Sequence, residues 1–504
     1  MKTSFLTFGL SLILLAVTCV LMPAAYAGEE VQFVPDTTHV DVLPVMALTY
    51  DEGAFDAMTF TPATFTLYEA DSVSTYACRV RRRGATSLAY DKPNYAIKVV
   101  DDEGEDQDVR LCGMRKDNYW VLDGMASDYG KVRNRVSMDL WLDYSRPPYH
   151  QEAEPKAVNG YRGRYVEVWV NDRYEGLFCL MERVDRKQLR LKKYKKAHEA
   201  LDADSVPQLV PAHHRGLLYK AVNGTQTRTP YLLYQSNEPD NTRHSYDGMQ
   251  GEYPDVAAGE PWTWEPLRNN IYYLAAKTST TFNQHIGEYY DVPVFIDYVL
   301  LVDLLVATDN VGKNVMFWMY DQSSADQRLG ITPWDLDTTW GRNYMGSPVS
   351  ASKELSSKTN FDTRFRKWYK DYDQILANRY AELRDSLWQA EALMARFDAY
   401  FDLFALTGAW DRELARWGAS NCKTRDLEQE RDYLRQWISG RLAFLDETYG
   451  YASQPEEPEP EGIDTLTPEA EGPAACYDLM GRRLQDPGMG RVVIMGHRPA
   501  ALTQ

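Results

Sequence analysis

The stretch VFIDYVLLVDLLVATDNVGKNVMFWMYD, residues 294–321, decides how the chain is read. Its first half is apolar on all sides for more than three helical turns, interrupted only by Asp297 and Asp303. A helix that is apolar all round is a buried one. A polar loop, TDNVGKN, follows and sets Asp309 five residues before Asn314. NVMFWMYD and RLGITPWD then read as a hairpin of two short strands. The second strand runs into TPWDLDTTWG, residues 332–341, where Asp335 and Asp337 stand between tryptophans. Bare carboxylates are costly to bury unless a cation neutralises them. These two acids either face water in an ordinary turn or hold a metal ion.

On either side of this stretch the chain changes character. Residues 28–190 read as β-rich: FTPATFTLYEA and YACRVRRRG alternate apolar and polar residues, and NYAIKVVD ends at the acidic turn DDEGEDQD. KVRNRVSMDLWLDYS is the exception, with Val132, Val136, Leu140 and Trp141 at helical spacing. RYVEVWVNDRYEGLFCLMERV reads as two strands turning at Asn171–Asp172. Residues 191–265 are polar and read as an insertion, whose basic run RLKKYKKAHEA suits a solvated helix face. Residues 266–450 are mainly helical. A Pro/Glu linker occupies 451–473 and a small β-like tail 474–504.

Composition bounds the function. The 504 residues carry a net charge of −18 and are 44% hydrophobic, with 13 Trp and 34 Tyr. So acidic a chain is no nucleic-acid binder, since phosphate backbones require a basic surface. Residues 1–27 begin with Lys2, continue with a long apolar run and close with Ala25-Tyr26-Ala27. They read as a secretory signal cut before Gly28, with an uncleaved anchor as the alternative. No later segment is long and apolar enough to span a membrane, so the mature chain is expected to be exported to the periplasm, cell surface or medium. Its five cysteines are scattered, without a CxxC pair, which argues against zinc.

The order of elements around 294–341 carries the chemistry. In protein kinases a buried helix leads into a loop with Asp-x-x-x-x-Asn, followed by two strands and a metal-binding Asp. Phosphoryl transfer needs a carboxylate to orient the attacking hydroxyl and take its proton. It also needs an acid and an amide oxygen to hold Mg²⁺ against the phosphates. Upstream, YAIK puts Lys98 on a strand where its ammonium could reach phosphates; the plain alternative is an exposed strand lysine. RRRGATS sets Arg83 and Gly84 at a strand-to-strand turn, where backbone N–H groups could approach phosphate. Glu182 ends GLFCLME and lies either beside a nucleotide or at the surface. The helix from Val132 offers Asp139 as a partner for Lys98, and Arg133 and Asn134 either face a cleft or cap the helix.

Five blocks in order resemble the spore-coat protein H (CotH) kinase-like family: VRRRGATS…DKPNYAIKV (80–99), YWVLDGMASDYGKVRNRVSMDL (119–140), RYVEVWVNDRYEGLFCLMERVD (164–185), FIDYVLLVDLLVATDNVGKNVMFW (295–318) and ITPWDLDTTWG (331–341). The resemblance implies an α+β, divergent protein-kinase-like fold of two lobes, β-rich then helical. It also implies ATP and Mg²⁺ (or Mn²⁺) as cofactors and phosphoryl transfer to protein hydroxyls. By position, Asp309 is similar to the catalytic-loop acid, Asn314 to the amide metal ligand, and Asp335, with Asp337 beside it, to the metal-binding acid. Lys98, Arg83 and Gly84 match the family's nucleotide-side blocks, although the usual Asn-Ser after the glycine is Ala85-Thr86 here. The tail, CYDLMGRRLQDPGMGRVVIMGHRP, resembles C-terminal sorting segments of proteins exported by Bacteroidetes-type bacteria. Two other functions fit the same residues: a non-catalytic surface protein on this fold, and a different nucleotide-dependent transferase.

Overall fold

The structure is a computed structural model. It describes residues 38–452, apart from 54, 56–57, 85, 202–206, 211–212, 223–239, 247, 257–261, 277–278, 356–359 and 424–425, together with 476–477 and 494–495. The expected export signal and nearly all of the Pro/Glu linker lie outside the described residues. Of the tail, Cys476–Tyr477 pairs antiparallel with Ile494–Met495.

The first half is a closed barrel. β1 (Val45–Tyr50), β2 (Thr61–Glu69), β3 (Ser72–Arg83) and β4 (Asn94–Val99) follow one another. A two-stranded flap, β5 (Val109–Arg110) and β6 (Lys116–Asp117), precedes β7 (Tyr119–Asp123). Helix α1 (Arg133–Tyr144) crosses to the hairpin β8 (Gly163–Val170) and β9 (Arg173–Met181). The strand order is β1-β2-β3-β4-β7-β9-β8, and β1 closes it by pairing parallel with β8, while the other pairings are antiparallel. The β8–β9 turn is the two-residue one the sequence announced, with Asn171 and Asp172 at φ 48° and 62°.

Period-two alternation sorts the barrel's faces. Val80, Ile97, Trp120, Leu122, Phe178 and Leu180 fill the interior. Their neighbours therefore point outward: Arg81 and Arg83 on β3, Ala96 and Lys98 on β4, Val121 and Asp123 on β7, and Cys179 and Met181 on β9. Val121, Cys179 and Met181 belong to the core shared with the helices, so this outer face is the one that meets the second half of the chain.

After α2 (Arg186–Leu189) the chain forms the hairpin β10 (His198–Leu201) and β11 (Pro207–Val210), then β12 (Leu217–Ala221), β13 (Ser245–Tyr246) and β14 (Met249–Tyr253). Helices α3 (Glu265–Ala276), α4 (Ser279–Tyr289) and α5 (Val292–Leu305) lead to β15 (Val315–Met319) and β16 (Gly330–Pro333). A second sheet has the order β13-β14-β12-β15-β16. Residues 191–265 are thus more than an excursion. They supply three of its strands, and β12 is the direct neighbour of β15. Five-residue strands between polar stretches leave little periodic signal, and the partner that stabilises them lies almost a hundred residues on.

The closing helices are α6 (Asn360–Trp368), α7 (Tyr372–Arg384), α8 (Ala390–Leu406), α9 (Ala409–Trp417) and α10 (Leu427–Tyr449). Of these, α6, α7 and α10 pack against α5, which is buried along its length except at Pro293. The two acids that interrupt α5 are each neutralised. Asp297 accepts from Arg379 Nε at 2.8 Å, and Asp303 from Arg441 Nη2 at 2.9 Å and Tyr449 at 2.6 Å. Among the described residues no helix is long and apolar enough to cross a membrane.

Helix α9 fastens this half to the barrel. Lys92 and Glu413 are fully buried and 2.7 Å apart. Lys92 also donates to the Leu177 carbonyl, and Glu413 accepts from the Leu177 amide at 2.8 Å. Gly176 (φ 123°) makes this approach possible, because a β-carbon there would lie 2.5 Å from the Glu413 carboxylate. Cys78, Cys112, Cys179 and Cys422 are buried free thiols, and burial pushes the Cys78 thiol up to about 12.

Candidate active site

The loop after α5 and the segment after β16 are built as one unit. Helix α5 ends at Val306, whose φ of 49° is unusual for a β-branched residue. A single 3₁₀ turn, Thr308–Val311, carries Asp309. Asn310 is fully buried behind it. Its Nδ2 donates to the carbonyls of Asn314 (2.9 Å) and Trp334 (2.8 Å), and its own carbonyl accepts from Tyr298 at 2.7 Å. The β15–β16 register pairs Val315 with Pro333, so Asn314 stands across from Trp334, with Asp335 next along. The Trp334 amide donates to the Asn314 carbonyl at 3.0 Å. Asn314 (φ 54°), Asp335 (φ 58°) and Trp340 (φ 50°) share the left-handed backbone of Val306. Such a concentration of strained backbone is characteristic of functional sites.

The barrel's outward face supplies the other wall. Asp123, at the end of β7, accepts from the Met125 amide at 3.0 Å and from Asn134 Nδ2 at 3.1 Å. Asn134 Oδ1 accepts in turn from the Leu336 amide (3.1 Å) and the Tyr161 hydroxyl (2.7 Å). This side chain on α1 therefore joins β7 to the Asp335–Asp337 segment. Ser127 donates to Asp337 at 2.7 Å. Arg133, beside Asn134, turns inward to Asp128, Glu430 and the Thr339 carbonyl.

The electrostatics of the pocket are unbalanced. Asp335 is exposed, yet it is crowded by protein. Desolvation raises its pKa first, then the Asp123 carboxylate; Arg83 and Lys220 oppose this, and Asp309 adds to it. The Asp337 carboxyl is pushed well up by desolvation and then by Asp335, against the Ser127 hydrogen bond. The Arg83 guanidinium and the Lys220 ammonium lie 5.9 Å and 5.8 Å from the Trp334 ring centre. Among the described residues neither forms an ion pair with a carboxylate. Asp309 has one, with Lys313 at 2.9 Å.

The molecule matches the sequence model described as CotH kinase protein over residues 80–445, most of its length. The chain belongs to the CotH kinase protein family. No curated protein matches it.

For this CotH-family chain the fold gathers Asp309, Asn314, Asp335, Asp337 and Arg83 around Trp334 and the acids beside it. Gly84 follows Arg83 at φ 123°, and a β-carbon there would collide with the Ser87 hydroxyl. Lys98 lies further along the barrel face, with its ammonium 5.1 Å from the Phe60 ring and 5.3 Å from the Tyr119 ring. Asp139 does not partner it. That acid holds Arg135 and the Tyr400 hydroxyl instead. Glu182 is 1% exposed, so it is not a surface residue. It accepts from the amides of Arg115 and Arg162 at 3.0 Å each and from Gln188 Nε2 at 2.9 Å.

Three residues in the pocket escaped the sequence reading: Asp123, Asn310 and Lys220. Asp123 was visible as the acid ending the strand YWVLD. Asn310 was hidden because its part is played through backbone carbonyls. Lys220 stands in LLYKA, within what read as an insertion.

Proposed function

We propose that the chain is an exported, ATP- and Mg²⁺-dependent (or Mn²⁺-dependent) phosphotransferase acting on protein hydroxyl groups. The barrel is the first lobe of a divergent kinase-like pair, and α5, the second sheet and the helices are the other. One observation carries the reading. Asn310 ties the Asp309 turn to Asn314 and Trp334, so that the acids face cations left without carboxylate partners.

In this reading Asp309 orients the acceptor hydroxyl and takes its proton as the oxygen bonds to the γ-phosphorus. The bond from that phosphorus to the bridging oxygen breaks, and ADP leaves. Asn314 and Asp335 would hold the divalent cation, with Asp337 as a second carboxylate. The donor set fits, being hard oxygens only, and the mutual repulsion of Asp335 and Asp337 is what a cation relieves. Among the described residues no three His, Cys, Asp or Glu side chains gather around one metal position. Mg²⁺ commonly takes only one or two protein carboxylates and fills its sphere with water and phosphate oxygens. Bound there, the ion neutralises charge on the phosphates. Arg83 and Lys220 at the Trp334 ring, and Arg183 and Lys98 at the Tyr119 ring, would be the cations available to the nucleotide's phosphates. The Arg83–Gly84 turn offers backbone donors, and Glu182 shapes the nucleotide side by fixing the amides of Arg115 and Arg162.

The test is label transfer by the purified mature protein with Mg²⁺ or Mn²⁺. Transfer from γ-labelled ATP that vanishes in Asp309→Ala and Asp335→Ala supports the reading. Transfer from α-labelled ATP instead makes it a nucleotidyl transferase. ATP binding without transfer of either label makes it a binding protein, the reading that export favours because ATP is scarce outside the cytoplasm.

A further inference from the structure

Two cations that approach one indole ring without a carboxylate between them are an expensive arrangement. Arg83 closes β3 and Lys220 lies on β12, yet both come within 6 Å of the Trp334 ring centre. Lys220 is half-buried. Desolvation lowers its pKa first, Glu252 opposes this, and Arg83 and Arg183 lower it further. Glu252 is the acid Lys220 feels most, with Asp335 behind it, and Asp335 in turn feels both cations as well as Asp123 and Asp309. Like charges kept together beside an acid cluster call for a third party that is itself strongly anionic. Phosphate oxygens, bonded to the cations on one side and to an acid-bound metal on the other, meet that requirement.

Lys98 is differently situated. It pairs with Tyr119, whereas Arg83 pairs with Asn94, four residues along β4. At the rise of a strand that separation is about 13 Å. Lys98 shares the Tyr119 ring with Arg183, whose guanidinium lies 4.1 Å from its centre.

We infer that Arg83 and Lys220 form the clamp for the terminal phosphate of a nucleoside triphosphate, and that Lys220, from the second sheet, serves the transferred phosphate in place of Lys98. This rests on the phosphotransferase reading above. It means that the second sheet completes the phosphate site instead of decorating it.

The test measures binding of ATP and of inorganic tripolyphosphate, each with Mg²⁺, by calorimetry on the full mature chain. Lys220→Met and Arg83→Met are each expected to weaken both ligands tenfold or more, and Lys98→Met to weaken tripolyphosphate at least threefold less than Lys220→Met does. Equal loss in Lys98→Met and Lys220→Met, or no loss in Lys220→Met, overturns the clamp. Wild-type protein that binds neither ligand overturns the phosphotransferase reading itself, which separates the two failures. A footprint on wild-type protein avoids any folding defect in the variants. ATP with Mg²⁺ should protect Lys220 from amine acetylation fivefold or more, and equal acetylation of Lys220 with and without ligand overturns the assignment.

Discussion

The seam between the barrel and α9 and the pocket around Asp335 are built from the same kinds of side chain and balanced in opposite ways. At the seam, Lys92 and Glu413 are fully buried and neutralise each other, and both bond the backbone of Leu177. Around Asp335, Asp309 is paired with Lys313, but Asp335, Asp123 and Asp337 face Arg83 and Lys220 with no ion pair closed between the two sets among the described residues. The seam is complete without any other molecule. The charges around Asp335 are left unbalanced by the protein's own groups, as the charges of sites that take up an ionic ligand are.

The largest test of this contrast is Glu413→Ala. It leaves the Lys92 ammonium buried and alone, and should cost about 3–5 kcal/mol in denaturant unfolding. A loss below about 1 kcal/mol would show that the seam is not what joins the halves.

Asp291, at the N-terminus of α5, tests the opposite case: a buried acid with no ion pair among the described residues. Desolvation raises its pKa to about 6 against the hydrogen bond from the Tyr149 amide at 3.0 Å. Between about pH 4 and 6 the folded state keeps a proton that the unfolded state has lost, so this residue's contribution to stability falls as pH rises through that window. Asp291→Asn should flatten that slope and raise stability at pH 7 by roughly 1–3 kcal/mol. An unchanged thermal-unfolding profile from pH 4 to 7 would refute it.

Within the pocket, Asp337→Asn should gain about 1 kcal/mol of stability in the absence of ligand, by removing a desolvated charge beside Asp335, while label transfer falls. Loss of stability there would mean the pocket is balanced after all. The smallest effect belongs to Glu52→Ala, which removes the exposed pair with Arg173. The unfolding free energy should change by less than about 0.5 kcal/mol, measured by denaturant titration.

The parts of the molecule that could be read in advance were those whose reasons are local. Helix α5 announced itself because every side is apolar, and the β8–β9 turn because Asn171 and Asp172 accept positive φ. The acids inside α5 had no visible explanation, since Arg379 and Arg441 lie 82 and 138 residues further on. Asp309, Asn314 and Asp335 stood out because one loop and one hairpin bring them together. Asp123 arrives from the barrel and Lys220 from β12, almost a hundred residues before the β15 it pairs with, and only strand pairing across those distances brings them to the Asp335 segment. The position of Lys98 likewise depended on which level of β4 faces the acids, and that follows from strand pairing.

Barrel closure has one further consequence. With β1 joined to β8 the barrel leaves no strand edge free, and edges are where foreign strands add and aggregates begin. The second sheet does have edges, β13 and β16. β13 is two residues long, and the outer side of β16 is engaged, with the Ile331 carbonyl accepting from Asn159 at 3.0 Å and Leu329, just before it, bridging to Tyr290. Among the described residues the two main sheets thus offer little template for intermolecular pairing, and the edges that remain belong to two-stranded pieces whose strands are no more than four residues long.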